Sequence, residues 1–333
     1  MGHKKTPKNI AVVMGGYSSE CAISLKSGQV AYQHIQGDAF RAFRVHILKD
    51  KWVVLDEDNE EYPVNRHDFS TVIKGEKITF DCVFNAIHGH PGENGVLLHY
   101  FELIGLKHSS APAYEMGLTF NKRDCLSVLK QQGIKTADAY FLNKGDAVDL
   151  DKIIHTVGMP CFVKPNQAGS SFGISKVNHR DALLPAIEKA FKEDPEILIE
   201  SFLEGTEVTV GVLRYQGAIK VLPITEIVSE NDFFDYEAKY QGKSTEITPA
   251  RISEELKKTL EQLAVKVYRL LNMRGFSRSE YIIVKGEPYF LEMNTVPGLT
   301  NESILPKQAA EAGIPLKELF YNAIETSLNT SLS

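Results

Sequence analysis

The sequence is short of the features that mark membrane, secreted and nucleic-acid-binding proteins. Its apolar runs are too short to cross a bilayer, and the N-terminal run at 10–14 ends at Gly15 and Gly16, too early for a secretory core. The formal net charge of -6 argues against general affinity for nucleic acid. We therefore expect a cytoplasmic protein with neither a membrane nor a nucleic acid as its partner.

Cysteine is also scarce and scattered. The 4 cysteines form no CxxC pair or other close metal spacing, which favours reduced thiols in a cytosolic protein over disulfides or a thiolate metal site. Cys21 is the one position where a reactive thiol is considered, because it falls near a predicted loop. An inert thiol is the interpretation that we favour there.

The 333 residues that are present suffice for two or three compact units. The first unit begins with a strand at 10–14, a break at the two glycines, and a helix from about residue 21 to 35. Continued alternation of strands and helices up to residue 109 predicts a parallel α/β sheet covered on both faces. The GxGxxG spacing of a dinucleotide site and the Walker phosphate loop are both missing.

Glu20 lies at the start of the first predicted helix. An acid in a helix's first turn is commonly favoured by the helix dipole. The same carboxylate is suited to binding a substrate ammonium group above the sheet edge, where the turn also directs backbone N–H groups. The sequence leaves the capping and the binding interpretations open.

A glycine-rich loop at 88–95 follows a buried strand predicted at 80–87. His88 and His90 are potential zinc ligands, but no third ligand follows at a suitable spacing, which argues against a metal there. The glycine content nevertheless indicates that this loop does more than join two elements.

Lys164 lies on a predicted strand beside a Gly- and Ser-rich loop at 166–173. Backbone N–H groups and hydroxyls of such a loop can surround phosphate oxygens while the ammonium neutralises their charge. The segment is therefore a candidate phosphate site. An ordinary hairpin tip is the alternative.

Farther along, Glu200 and Glu207 flank an apolar pair, Phe202 and Leu203, in a predicted strand-turn-strand segment. An adenine ring needs apolar faces and a ribose needs a carboxylate, so this segment is a candidate nucleotide site.

The segment at 232–244 has mixed charge and no regular period, and it contains Lys239 and Tyr240. Polar, aromatic loops of this kind often close over a site. A flexible surface loop is the default alternative.

Two strand-like runs near the C-terminus are joined by a predicted turn at 285–288. Antiparallel pairing would bring Glu280, Glu292 and Asn294 together, with Arg278 on the same strand as Glu280. Two carboxylates and an amide oxygen suit Mg²⁺ and offer no soft ligand for zinc or copper. A surface hairpin with solvated charges is the alternative.

Seven groups of residues, in order along nearly the whole chain, together resemble the D-alanine–D-alanine ligases, which are members of the ATP-grasp superfamily. The groups are Gly15-Gly16-Tyr17-Ser18-Ser19-Glu20 with Ser24-Leu25 and Ser27-Gly28; His88-Gly89 with Gly92-Glu93-Asn94-Gly95; Asn121-Lys122; Val163-Lys164-Pro165 with Gly169-Ser170-Ser171; Asp235-Tyr236-Glu237-Ala238-Lys239-Tyr240; Arg278 with Glu280; and Glu292-Met293-Asn294-Thr295 with Pro297-Gly298.

The resemblance implies an α/β protein, α+β in its ATP-grasp part, with a three-domain architecture and an N-terminal parallel α/β domain. We expect these domains at 1–109, 110–203 and 204–333, with a lid at 232–244 in the third. ATP would be a co-substrate held between the second and third domains, with two Mg²⁺ ions or, as an alternative, Mn²⁺. Members of the family usually form homodimers, so the resemblance implies a homodimer here.

The resemblance also implies a role for each matching residue. The residues implied for the substrates and the oxyanion are Glu20, Ser170, Tyr240, Arg278, Gly298 and Ser303. Those implied for the nucleotide are Lys122, Lys164, Ser171, Glu200, Phe202, Leu203, Glu207 and Lys239. Those implied for the metal ions are Glu280, Glu292 and Asn294. The family often has Asp at the position of Glu280, and the longer acid makes the metal preference less certain.

The implied activity is the ATP-dependent joining of two D-alanine molecules through a D-alanyl phosphate, for peptidoglycan precursor synthesis. A D-alanine–D-lactate ligase of the same family is one alternative, although the lid residues 237–240 resemble the dipeptide-forming type. A non-catalytic ATP-binding regulator is another, and the retained Arg278, Glu292 and Lys164 argue against it.

Overall fold

The computed structural model describes residues 6–169, 172–229 and 244–330. Its N-terminal part contains a five-stranded sheet in the order β4-β3-β2-β1-β7 and a separate two-stranded sheet of β5 and β6. The strands are β1 (Lys8–Gly15), β2 (Phe40–Ile47), β3 (Trp52–Leu55), β4 (Glu61–Pro63), β5 (Thr71–Ile73), β6 (Glu76–Ile78) and β7 (Cys82–Asn85).

The centre of this sheet is parallel, as predicted, because β1 pairs in parallel with both β2 and β7. Strands β3 and β4 extend it in antiparallel fashion, so the whole sheet is mixed. The reason is local: β2 and β3 are joined by only a few residues, a connection too short for a parallel crossover. Helix α1 (Cys21–Ile35) matches the predicted helix, and α2 (Val96–Leu103) follows the glycine-rich loop.

Two helices lead to the central sheet: α3 (Ala113–Phe120), which the sequence did not predict, and α4 (Lys122–Gln131), which it did. The side chain of Asn121 caps α4 by accepting a hydrogen bond from the Asp124 N–H at 3.0 Å. This cap fixes the start of the helix, and therefore the position of Lys122.

The central sheet is antiparallel throughout, in the order β10-β9-β11-β8. Its elements are β8 (Ala139–Asn143), α5 (Leu150–Val157), β9 (Cys161–Pro165), β10 (Ser175–Val177), α6 (Leu183–Ala190) and β11 (Glu196–Ser201). Helix α5 was not predicted. Buried apolar residues between 142 and 199 form a core of their own here.

The C-terminal part is built on a six-stranded sheet in the order β15-β14-β12-β16-β17, with β13 also paired to β12. Its elements are β12 (Thr206–Tyr215), β13 (Ala218–Val221), β14 (Thr225–Ser229), β15 (Ser244–Ile247), α7 (Glu254–Leu270), β16 (Phe276–Val284), β17 (Glu287–Asn294), α8 (Ile304–Glu311) and α9 (Leu316–Asn329). Helix α8 was not predicted. The bounds expected for the three domains remain predictions.

Two further apolar clusters join the N-terminal and C-terminal parts. In one of them, Phe84 on β7 packs against Phe320 on α9 with ring centroids 5.2 Å apart. These clusters bring the loop at 88–95 next to the end of β17.

The described part of the chain contains no helix with the length and apolar character needed to cross a bilayer.

Candidate active site

The hairpin of β16 and β17 has the antiparallel pairing predicted from the sequence. Lys285 and Gly286 both have positive φ angles, 50° and 84°, which is the geometry of a tight two-residue hairpin turn. At the other end of the hairpin, Glu280 lies opposite Glu292 and Arg278 lies opposite Asn294. Asn294 Nδ2 is 3.2 Å from Glu280 Oε1 and 3.4 Å from Glu292 Oε1.

A β-bulge in β17 places Glu280 opposite Glu292. Tyr281 pairs with Phe290, whereas the preceding residue, Glu280, pairs with Glu292, so Leu291 is the extra residue on β17. In a regular ladder Glu280 would lie opposite Leu291. The bulge therefore places the two carboxylates on one face while Tyr281 and Phe290 stay in the core.

Arg278 is partly buried beside these acids. Its Nη1 is 2.5 Å from Glu280 Oε1 and 2.9 Å from Thr209 Oγ1 on β12. Burial acts to lower the pKa of the guanidinium, but the carboxylates of Glu280, Glu292 and Glu207 outweigh it and raise the pKa. Arg278 is thus a permanent cation held at the floor of the site.

Two lysines bring positive charge from the central part of the chain. Lys164 on β9 is partly buried, and its Nζ is 2.7 Å from Glu200 Oε2 on β11. Burial lowers the Lys164 pKa, but Glu200, followed by Glu292 and Glu280, raises it overall. Lys122 Nζ donates to the Ala168 carbonyl at 2.8 Å and is 3.5 Å from Glu292 Oε2. Lys164 therefore remains charged, and both lysines lie near the hairpin acids.

The candidate adenine segment lies at the end of β11. The rings of Phe162 and Phe202 have centroids 6.1 Å apart, and Lys176 Nζ lies 4.6 Å from the Phe202 centroid. Leu203 is half-buried just beyond the strand. Glu207, on β12, is close enough to Arg278 to raise its pKa. Lys164 Nζ lies 5.6 Å from the Phe162 centroid, so this aromatic pair borders Lys164.

Glu20 is buried at the start of α1, and its side chain makes no capping hydrogen bond. The side-chain capping interpretation is therefore wrong. Gly169, from the loop after β9, packs against the Glu20 carboxylate so closely that a Cβ atom there would lie 2.4 Å from Oε2. A Cβ atom on Gly89 would lie 3.1 Å from the same Oε2, so Gly89 also borders this carboxylate.

One cleft of about 210 Å³ lies between the start of α1, the glycine-rich loop at 88–95 and the end of the hairpin, and the lysines and the candidate adenine segment are not among its lining residues. Among its lining residues are five sequence-predicted positions, from four separate stretches of chain: Glu20, Arg278, Asn294, Gly298 and Ser303. A Cβ atom on Gly298 would lie 2.6 Å from the Ser303 hydroxyl, so the two residues are in contact. The Ser303 Oγ is also 2.8 Å from Thr300 Oγ1.

Four expected site residues, namely Ser170, Ser171, Lys239 and Tyr240, lie outside the described residues, as does the expected lid apart from Ser244. Where they lie relative to the cleft therefore stays a prediction.

Two residues that line the cleft were not assigned to it from the sequence. His88 Nδ1 donates to the Val296 carbonyl at 2.7 Å, and its Nε2 is 2.9 Å from Ser27 Oγ. Glu93 is buried and accepts hydrogen bonds from the backbone N–H groups of Thr295 and Val296. The glycine-rich loop was the available signal, but nothing in it identified these partners.

Burial, together with the nearby Glu20 carboxylate, raises the pKa of Glu93 to about 7. Burial lowers the pKa of His88, so its ring is neutral at neutral pH. A neutral ring that donates from Nδ1 has an unprotonated Nε2, which can accept a hydrogen bond from the Ser27 hydroxyl.

The histidines of the glycine-rich loop and the polar residues of the hairpin differ in how well they suit a metal ion. Within the described ranges no three His, Cys, Asp or Glu side chains are grouped to bind a metal. Both ring nitrogens of His88 have protein partners, and His90 Nδ1 is 2.8 Å from Asn94 Nδ2. The hairpin set of two carboxylates and an amide is all oxygen on its acceptor side, which fits Mg²⁺.

The Cys21 thiol is half-buried, and burial raises its pKa. A raised pKa disfavours the thiolate, in agreement with an inert residue. All four cysteines are free thiols.

Known proteins match this chain over nearly its full length. Family models described as the D-ala D-ala ligase N-terminus and C-terminus match residues 9–111 and 128–325. A D-alanine–D-alanine ligase of Flavobacterium johnsoniae is 64% identical over 321 residues, which cover 96% of this chain and 99% of that protein.

Solved structures agree with the sequence comparisons. The VanG D-Ala:D-Ser ligase of Enterococcus faecalis has a TM-score of 0.85 and 30% identity, covering 96% of this chain and 99% of that one. A D-alanine–D-alanine ligase of Bacillus anthracis complexed with ATP has a TM-score of 0.77 and 27% identity, covering 96% and 97%. These neighbours confirm the α/β, ATP-grasp fold class. The chain belongs to the D-alanine–D-alanine ligase family.

Proposed function

We propose that this protein is an ATP-dependent, ADP-forming ligase that joins two D-alanine molecules into D-alanyl-D-alanine for peptidoglycan precursor synthesis. One observation carries the proposal: a single cleft is lined by Glu20, Arg278, Asn294, Gly298 and Ser303. The family membership and the ATP-bound relative support ATP as the co-substrate.

In this proposal the first D-alanine binds by its ammonium group to Glu20. The buried carboxylate faces the cleft, where a cation is favourable. Ser170 and Tyr240 are proposed to support Glu20 through hydrogen bonds. At the other end of the cleft, Ser303 is proposed to bind the carboxylate of the second D-alanine.

The nucleotide is proposed to bind over the lysines of the central part. Lys122 and Lys164 would contact its phosphates, with Ser171 and Lys239. Glu200, Phe202 and Leu203 would contact the adenine, and Glu207 the ribose. The Lys164–Glu200 ion pair supports this arrangement, because it holds the ammonium in place before a phosphate arrives.

Glu280, Glu292 and Asn294 are proposed to hold two Mg²⁺ ions, with Mn²⁺ as an alternative. The ions, when bound, offset the negative charge of the nucleotide phosphates and of the carboxylate that approaches them. The hairpin alignment and its oxygen donors support this assignment.

The proposed reaction has two steps. A carboxylate oxygen of the first D-alanine attacks the γ-phosphorus of ATP, which releases ADP and forms D-alanyl phosphate. The neutral amine of the second D-alanine then attacks the acyl carbon, and Arg278 with the Gly298 N–H stabilises the tetrahedral oxyanion. Phosphate departs, the amine loses its proton, and the dipeptide remains. The lid would exclude water from the acyl phosphate.

We also propose a cytoplasmic homodimer with no nucleic-acid or membrane partner. The use of ATP and the free thiols support the cytoplasmic location. The net charge of -6 supports the lack of a nucleic-acid partner. The dimer rests on the family alone.

The experiment that tests the proposed function measures ADP release and product formation with D-alanine, L-alanine, D-serine and D-lactate as separate acceptors. We expect D-alanine to give one dipeptide per ADP at neutral pH and to dominate in competition. Dominant incorporation of D-lactate or D-serine would contradict the assigned acceptor. ATP binding with no D-alanine-dependent ADP release would contradict the enzyme itself.

A further inference from the structure

The backbone that carries Gly298 is held in place by side chains from distant parts of the sequence. On its N-terminal side, Glu93 Oε1 accepts from the N–H groups of Thr295 at 3.3 Å and Val296 at 3.2 Å. The other oxygen of Glu93, Oε2, accepts from the Gly89 N–H at 3.1 Å. One buried carboxylate thus ties the glycine-rich loop to the segment that follows the metal-site hairpin.

A second connection completes the hold on this segment. His88 donates to the Val296 carbonyl, and Ser27 Oγ accepts from the Leu299 N–H at 3.4 Å. His88 and Ser27 also contact each other. Backbone groups on both sides of Gly298 are therefore fixed by side chains of the N-terminal part.

We propose that Glu93 is a positioning residue for amide-bond formation, which fixes the backbone around Gly298 so that its N–H is aimed at the developing oxyanion. The inference rests on the proposed function, and it adds a residue that acts without contacting substrate. Both carboxylate oxygens of Glu93 already accept backbone N–H groups, so its influence passes through the backbone. Oxyanion stabilisation depends on donors that are already in place when charge develops.

The proposed role separates the two chemical steps. Phosphoryl transfer to the first D-alanine does not use the Gly298 N–H, whereas the attack of the amine does. A loosened Gly298 segment therefore leaves formation of D-alanyl phosphate intact and slows its use by the second D-alanine. The acyl phosphate that waits is then lost to water, and ADP is produced without dipeptide.

Glu93→Gln, compared with wild type at about pH 8, where the Glu93 carboxyl with its pKa of about 7 is mostly ionised, is the direct test. The amide has one acceptor oxygen and one NH₂ group, so whichever way it turns, the NH₂ faces either the Gly89 N–H or those of Thr295 and Val296. We expect dipeptide turnover to fall about tenfold or more, because a misplaced oxyanion donor costs at least that much. Exchange of ¹⁸O between the βγ-bridge and β-nonbridge positions of ATP, which reports the first step, should stay within about twofold of wild type, since that step makes no use of the oxyanion donor.

The matched control is Glu102→Gln. Glu102 also accepts a backbone N–H, that of Ala113 at 2.9 Å, but it does not line the cleft. The ratio of ADP to dipeptide should remain near one in this control and rise severalfold in Glu93→Gln. Dipeptide turnover within twofold of wild type, or isotope exchange that falls in parallel with it, would overturn the positioning role.

A second variant covers the case in which Glu93→Gln does not fold. Ser27→Ala removes the acceptor for the Leu299 N–H on the other side of Gly298, and we expect the same rise in the ratio of ADP to dipeptide. A wild-type ratio in Ser27→Ala would then overturn the inference. If wild-type protein makes no dipeptide, the proposed function fails; if it does and the variants stay coupled, only the positioning role fails.

Discussion

Glu20 and Glu93 line the cleft, whereas the hairpin carboxylates Glu280 and Glu292 lie beside it, and the two groups are held in opposite ways. On the hairpin, Glu280 lies 2.5 Å from Arg278 Nη1 and Glu292 lies 3.5 Å from Lys122 Nζ. On the other side, Glu93 lies near a second carboxylate, Glu20, and its pKa is raised to about 7 by burial and by that neighbour. The hairpin acids have protein cations beside them, whereas Glu93 is held by backbone N–H groups.

The difference indicates where each side of the cleft obtains its positive charge. The hairpin acids have protein cations beside them before any ligand binds, and the proposed metal ions would add to that positive charge. The Glu20 carboxylate opposes the ionisation of Glu93, so an ammonium group that binds beside Glu20 relieves that repulsion. In the proposed reaction that ammonium belongs to the first D-alanine.

Removal of the hairpin cation should have the largest effect. Arg278→Ala takes away an oxyanion donor and leaves Glu280 buried without its ion pair, so dipeptide turnover should fall by about a hundredfold or more. ATP affinity, measured by calorimetry, should change little. Arg251→Ala, which breaks an ion pair with Glu226 outside the cleft, is the control. Near-normal turnover in Arg278→Ala would contradict the role.

Loss of one hairpin acid should have the next largest effect. Glu292→Gln keeps the side-chain shape but removes a charged oxygen ligand, so activity should fall by about tenfold or more and the Mg²⁺ concentration for half-maximal rate should rise. Glu287→Gln, at the other end of β17, is the matched control because Glu287 is exposed beside Lys135. A Mg²⁺ titration that matches wild type would mean that the metal site is placed wrongly.

A change on the other side of the cleft should act on substrate binding. Glu20→Gln removes the charged partner of the D-alanine ammonium, and we expect the KM for D-alanine to rise by about tenfold with the KM for ATP unchanged. Initial-rate kinetics with each substrate varied in turn would measure this. A change confined to ATP would place Glu20 in the nucleotide site instead.

The smallest effect concerns stability. Folded Glu93 keeps its proton up to about pH 7, whereas the unfolded chain releases it near the ordinary value of 4.5. The stabilisation is therefore complete below about pH 4.5 and is lost as pH rises toward 7, at about 1 kcal/mol per pH unit. Glu93→Gln should lack this loss. Urea unfolding at pH 5.5 and 6.5 would measure it, and parallel pH dependences for the two proteins would contradict the assignment.

The two sides of the cleft also differed in how far the sequence could predict them. The hairpin is local: two short apolar runs and the turn at 285–288 between them predict both strands and their pairing. Even so, the alignment of Glu280 with Glu292 depends on the bulge at Leu291, which no strand pattern indicates. The predicted proximity of Glu280 and Glu292 is confirmed, but the bulge that aligns them could not be predicted from the sequence.

The other side depends on contacts between residues far apart in sequence. Glu93 and Val296 are 203 positions apart, and their hydrogen bond follows from packing of the N-terminal and C-terminal parts. The roles of Glu20, Gly298 and Ser303 were reached through the resemblance to a family, and the structure brings these residues to one cleft. Helices α3, α5 and α8 were missed because each has only 8 residues, about two turns, which is too short for a periodic pattern to be distinguished from a strand or loop.

The central claim is that a carboxylate of D-alanine becomes an acyl phosphate in this cleft before the peptide bond forms. The most direct test uses D-alanine labelled with ¹⁸O in its carboxylate, with analysis of the phosphate released. If the carboxylate oxygen attacks the γ-phosphorus and later leaves with it, each phosphate will carry one ¹⁸O atom for each dipeptide formed. Unlabelled phosphate released in step with dipeptide would contradict the account.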